Sequence, residues 1–237
     1  MSEANSLLEA SMSSNTWNTY SNGVESFKRF RTLYNLSPLW PPPVEHFTNF
    51  ITYMSYSSYS QATIRAYVSG LSFVLKGRDL EDTTQSFIIQ NMIKGANKLY
   101  GRVDVRCPIT MDILLKLPNA LQFVSNSMYE STMFTAAFSL SYFGLLRVGE
   151  VTVCRLSDVS KIIQNTDVTF TPSAREVKIR IRYSKTDQYG KSFQICIEKA
   201  DNATICPVLS LIAFLRIRPQ FSGPFFCHLN QMPVTRT

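Results

Sequence analysis

Two basic residues in this chain are of types, and in settings, suited to chemistry on a phosphodiester. Arg147 stands in FGLLRVGE (residues 143–150), at the end of a long apolar run, and Lys185 stands in SKTDQYGK (184–191), at the tip of a predicted hairpin. An arginine that ends a buried helix is a ready clamp for phosphate oxygens, and its charge there needs a partner. Glu150, three residues on, has the spacing to orient the guanidinium. A lysine on a short β-hairpin reaches a DNA groove and can hand a proton to a leaving oxygen. From spacing alone, however, a structural Arg147–Glu150 pair is the favoured reading.

The elements that must position these residues follow from periodicity. The first half reads as helices. Ser14 or Asn15 caps a helix through about Leu36, with Trp17, Tyr20, Val24, Phe27, Phe30 and Tyr34 on one face. Lys28, Arg29 and Arg31 cluster around Phe27 and Phe30. Pro41-Pro42-Pro43 is a stiff connector. A second helix, about Val44–Met54, buries Phe47, Phe50, Ile51 and Met54. Ser60 caps a third, with Ile64, Val68, Leu71 and Leu75 inward and Arg65 and Lys76 off that stripe. After a short acidic loop (79–82), a fourth helix, about Gln85–Tyr100, buries Phe87, Ile88, Met92 and Ile93 and exposes Lys94 and Lys98. A linker near 101–108 ends in Cys107-Pro108.

In the second half, Thr110 caps a helix that Pro118 must kink or interrupt, and a long buried helix follows over about Tyr129–Leu145. Three strands are predicted at 167–170, 176–183 and 193–198. In VKIRIRYS, Val177, Ile179, Ile181 and Tyr183 point one way and Lys178, Arg180 and Arg182 the other. That basic face offers several cations to a phosphate backbone; ordinary charge alternation on a solvated strand explains it as well. Asp187 to Gly190 supplies the hairpin turn. Cys206-Pro207 opens a last helix, with Val208, Leu211, Ile212 and Leu215 inward. The fold class expected is mainly α (α+β): a helical domain over 1–105, then a domain over 106–237 with a small antiparallel sheet.

Composition bounds the function. With 237 residues, 45% apolar and 17% charged, the chain buries a sizeable core. The net charge of +7 favours an anionic partner, and most of the excess lies in 107–237, with fourteen Lys/Arg against nine Asp/Glu. Five cysteines without CxxC spacing read as reduced, mostly buried thiols of an intracellular protein. Two distant histidines, His46 and His228, argue against a metal centre. The apolar run at 133–146 is shorter than the ~18–20 residues that span a bilayer, so no membrane partner is expected. The N-terminus has no basic region of the kind a signal peptide carries.

FGLLRVGE followed by a strand pair bearing SKTDQYGK resembles the tyrosine recombinase (phage integrase) superfamily, and most closely the recombinases of eukaryotic mobile elements of the DIRS and Crypton kind. The resemblance extends over essentially the whole chain. NTW (15–17), the PPP connector, SQATIRAYVSGLSFV and TQSFIIQNMIKG resemble the helical, SAM-like core-binding domain. CPIT (107–110), CPV (206–208) and GPFFCHLNQMPVTR (223–236) resemble the catalytic domain. It is the order and spacing of these motifs that carry the likeness. The resemblance implies DNA strand cleavage and rejoining through a 3′-phosphotyrosyl intermediate, with no metal or cofactor. Arg147 would stabilise charge on the non-bridging phosphate oxygens, Lys185 would protonate the leaving 5′-oxygen, and Glu150 would support the arginine. Double-stranded DNA is the implied partner, with a homo-oligomer on DNA, inside the cell and in the nucleus. Lys28, Arg65, Lys94, Lys98 and Arg102, and on the other domain Arg180 and Arg182, are the backbone contacts to expect.

The family's His-x-x-Arg motif and its tyrosine fall beyond the segment that ends in PVTR. His228 is followed three positions later by Gln231, and the last tyrosine, Tyr189, lies on the hairpin, in the wrong element for the nucleophile. The 237 residues therefore read as a core-binding domain and the N-terminal part of a catalytic domain, expected to bind DNA and not to cleave it. Their last residues are expected to fray. The alternative is a domesticated DNA-binding or protein-interaction module derived from a mobile element.

Overall fold

A computed structural model describes residues 3, 7, 10–100, 105–184, 187, 190–236. The chain divides into two compact units, Met1–Val105 and Arg106–Thr237, and is mainly helical with one three-stranded antiparallel sheet.

The first unit is built from α1 (Ser14–Leu33), α2 (Val44–Tyr56), α3 (Gln61–Gly77) and α4 (Phe87–Tyr100), with a 3-10 turn at Thr83–Gln85. The cap of α1 is Ser13, one residue ahead of the predicted position, whose side chain accepts from Thr16 N at 3.3 Å. The helix stops three residues early, because Asn35 takes a left-handed φ of 52°; Tyr34 is exposed beyond the last helical residue. Ser60 caps α3 as predicted, accepting from Thr63 N at 3.1 Å. The inward stripes of α2 and α3 are those read from the sequence, and all eight residues are buried. In α4 the buried pair is Ile89 and Ile93, while Phe87 and Ile88 are exposed. Starting at 87, the helix puts both on a first turn that points away from the core.

Gly23 and Gly70 mark where α1 and α3 cross. A Cβ added at Gly23 would sit 2.8 Å from the Cα of Tyr67, and one at Gly70 2.8 Å from the Cα of Tyr20. Only glycine at both places allows that approach. Further along α1, Arg31 is buried, its Nη2 donating to Leu39 O at 2.9 Å and its guanidinium over the rings of Phe27 and Trp40.

The second unit holds α5 (Met111–Val124), α6 (Met128–Phe143), a one-turn helix α7 (Val148–Val151) and α8 (Pro207–Ile217), with β1 (Val168–Phe170), β2 (Glu176–Ile181) and β3 (Phe193–Glu198) in the order β1-β2-β3. Helix α5 runs unbroken through Pro118. Val177, Ile179 and Ile181 are buried against α6 and α8, and Lys178 and Arg180 face out. Phe214 joins Val208 and Leu211 in that core, and Ile212 and Leu215 are half-buried. Ser139 Oγ donates to Ile205 O, and Tyr129 OH donates to Cys227 O at 2.6 Å, tying α6 to the chain on either side of α8.

None of the five cysteines forms a disulfide, and two are buried, Cys206 and Cys227, rather than most of them. Among the described residues, no helix is long and apolar enough to cross a membrane.

Candidate functional site

The chain leaves α6 through a tight reversal. Leu145 N donates to Tyr142 O at 3.4 Å and Leu146 N to Ser141 O at 2.9 Å. This is the paired-bond helix stop usually completed by glycine; here Leu145 takes the left-handed position at φ 50° and is 89% exposed. The predicted helix end at Leu145 therefore falls two residues late. The reversal delivers Arg147 to the start of α7, in extended backbone at φ −77° and ψ 147°.

Glu150 then holds Arg147 twice. One carboxylate oxygen accepts from the backbone N–H of Arg147 at 2.9 Å, and the other from its Nη1 at 3.3 Å. The carboxylate is 6% exposed and the arginine side chain 56% exposed. This corrects the expectation of a head group near the core: it is the acid that is buried, and the guanidinium stands at the surface with N–H groups left for a ligand. Glu150 is itself fixed, its carbonyl accepting from Ile163 N at 3.1 Å.

A segment from the far end of the unit lies against this turn. Val153 N donates to Val234 O at 3.0 Å and Arg236 N to Val153 O at 2.9 Å. The expectation that the last residues fray does not hold for these. Arg236 Nε donates to Cys154 Sγ at 2.7 Å, and its Nη1 lies 2.9 Å from where a Cβ on Gly149 would stand. Close by, a hydrogen bond from Lys161 holds the Asp158 carboxyl below its ordinary range, and the charges of Arg155 and Arg236 act in the same direction. PVTR is visible in the sequence, but nothing in its spacing says that it returns to the Arg147 turn.

Lys185 and Tyr189 lie outside the described residues. Of the residues between β2 and β3, Asp187 is described, and its carboxylate accepts from Lys191 N at 3.1 Å and Ser192 N at 2.8 Å. On the strands leading to it, Arg180 is exposed and donates from Nε to Ser192 Oγ at 3.1 Å. Arg182 turns back to Asp167, Nε to Oδ2 at 2.5 Å, and reaches Thr166 Oγ1 with Nη2 at 3.2 Å. That aspartate is 2% exposed and also accepts from Gln164 N. In the first unit Arg65, Lys94 and Lys98 are exposed, and Lys28 is exposed beside Glu25 at 2.7 Å. Arg102 lies outside the described residues. His228 pairs with Glu130, Nδ1 to Oε1 at 3.3 Å.

No family model matches the chain. No curated protein matches it. Among solved structures it is similar to the Tn1549 transposon integrase (residues 82–397) in complex with circular intermediate DNA, at 11% identity and a TM-score of 0.48; the match covers 88% of this chain and 66% of that one.

Proposed function

We propose that the chain is a DNA-binding protein of DNA recombination or integration, comprising the core-binding domain (1–105) and the N-terminal part of the catalytic domain (106–237) of a tyrosine recombinase of the DIRS or Crypton kind. The observation that carries the reading is the Arg147–Glu150 pair, in which a buried carboxylate orients an exposed guanidinium. Such an arginine offers a planar fork of donors to the oxygens of one phosphate. In this reading Arg147 binds the non-bridging oxygens and stabilises the charge that grows on them. Lys185 supplies the proton to the leaving oxygen, and Glu150 positions the arginine. Arg65, Lys94, Lys98, Lys28 and Arg102, with Arg180 and Arg182, meet further phosphates of the duplex, in the nucleus.

Fluorescence anisotropy with a labelled duplex tests this. Binding is expected to weaken steeply with salt, with a logarithmic slope of about −0.9 for each phosphate neutralised. Absence of binding, or an affinity indifferent to salt, overturns the reading.

A further inference from the structure

We infer that Leu145 is a contact residue for the DNA backbone, resting with Val148 on the deoxyribose next to the phosphate that Arg147 holds. The inference rests on the DNA-binding reading above and deepens it.

The observation that carries it is a conformational cost with no return inside the protein. Leu145 takes a left-handed φ of 50°. Residues with a side chain adopt that conformation against a steric penalty, and a bulky one is an outlier there. The other non-glycine residues with positive φ that the structure describes are Asn35, Ser58, Asp79, Ala174, Ser192 and Gln231, all small or polar. Leu145 alone among them is large and apolar. Packing does not compensate it, because the side chain is 89% exposed. The apolar contact that accompanies such a helix stop falls to its neighbour Leu146, which packs against the core. Glycine would make the same turn without strain. Strain kept beside a functional group points to a use outside the fold.

The neighbours of Leu145 define that use. Arg147 stands two residues on, with its guanidinium at the surface, and Val148 follows it, 60% exposed. One exposed cation is thus flanked in sequence by two exposed apolar side chains. A partner made of charge alone leaves those side chains in water. A nucleic-acid backbone alternates the two chemistries, each phosphate being joined to sugars whose C–H faces are apolar. An arginine on the phosphate brings the adjoining sugars to the residues on either side of it. Deoxyribose fits better than ribose, because a 2′-hydroxyl pressed on leucine loses water and gains no partner.

The test compares two ligands of the 237-residue chain: a labelled DNA duplex, and inorganic polyphosphate, which carries phosphates and no sugar. Leu145→Gly removes the side chain and relaxes the turn, so its melting temperature should stay level or rise. Its duplex affinity is expected to fall about three- to tenfold, the effect of losing part of a leucine's buried surface. The dependence of that affinity on salt should not change, because no charge is lost. Polyphosphate should bind Leu145→Gly as it binds the unmodified chain. Leu145→Asn, polar and tolerant of the left-handed turn, should behave in the same way. Arg147→Gln, by contrast, should weaken both ligands and flatten the salt dependence. If Leu145→Gly binds duplex as tightly as the unmodified chain, loses duplex and polyphosphate equally, or melts at a distinctly lower temperature, the inference falls and the DNA-binding reading stands. If the unmodified chain binds no duplex, both fall.

Discussion

Glu150 binds Arg147 at both ends, one oxygen on the backbone N–H at 2.9 Å and the other on the guanidinium at 3.3 Å. The first bond caps a helix and the second aims a side chain, so one buried acid does structural and positioning work together. The two partners should therefore respond unequally to truncation. Glu150→Ala leaves a backbone donor without its acceptor and is expected to destabilise the second unit by about 1–3 kcal/mol. Arg147→Ala, which removes the exposed half of the pair, should cost under about 1 kcal/mol while weakening DNA binding. Thermal unfolding of the two variants, followed by circular dichroism, decides it; equal losses would contradict the assignment.

Arg180 and Arg182 make a second unequal pair. The sequence puts both on the outer face of the strand, but Arg182 neutralises the buried Asp167. Its replacement by alanine strands that carboxylate, a loss of about 3–5 kcal/mol for a buried pair and less here because Arg182 is itself 35% exposed. Arg180→Ala should leave stability within about 0.5 kcal/mol and lower duplex affinity. A chemical-denaturation midpoint for each variant separates the roles, and a stable Arg182→Ala protein would refute this one.

The first unit carries an acid sensitivity at His46. Burial, and then the Arg31 charge, push this imidazole below its ordinary value of 6.5, with Glu45 opposing, and its Nδ1 is buried with no hydrogen-bond partner. Because the folded form resists the proton, the unfolded chain takes it up first. Stability that is full above about pH 6.5 is lost as the pH falls below it. Both tryptophans, Trp17 and Trp40, lie in this unit, so their fluorescence reports it alone. The urea midpoint should drop between about pH 7.5 and about pH 5.5, and His46→Gln should flatten the drop. An equal drop in the variant excludes His46 as its source.

Covalent chemistry gives a fourth check. A polypeptide of these 237 residues contains no tyrosine after Tyr189. Incubated with a nicked suicide duplex, it is expected to give no DNA–protein band that survives SDS. Such a band would show that one of its own side chains attacks phosphate.

How much of this is legible in the sequence depends on the range of the forces involved. The stripes of α2 and α3 are readable because spacings of three and four residues record a helix face directly. The alternation in VKIRIRYS likewise gives the buried side of β2. Local pattern fails where a neighbour from elsewhere decides. Phe87 and Ile88 have the right spacing for a core, but the turn that starts α4 leaves them outside it. Leu145 ends the apolar run in sequence and is outside the helix in space, because the chain reverses there. Arg182 looks like Arg180 until Asp167, fifteen residues away, claims it. Arg236 is the extreme case: a bond to Cys154 spanning 82 residues leaves no local trace.

The crossing of α1 and α3 at Gly23 and Gly70 bears on the cations that these helices carry. The atoms facing each glycine are the Cα atoms of Tyr67 and Tyr20, so no side chain can be trimmed to make room. Lys28 sits five residues past one notch and Arg65 five before the other. The seam therefore works as a ruler of bare backbone: a single methyl group at either glycine drives in a wedge and spreads Lys28 and Arg65 apart.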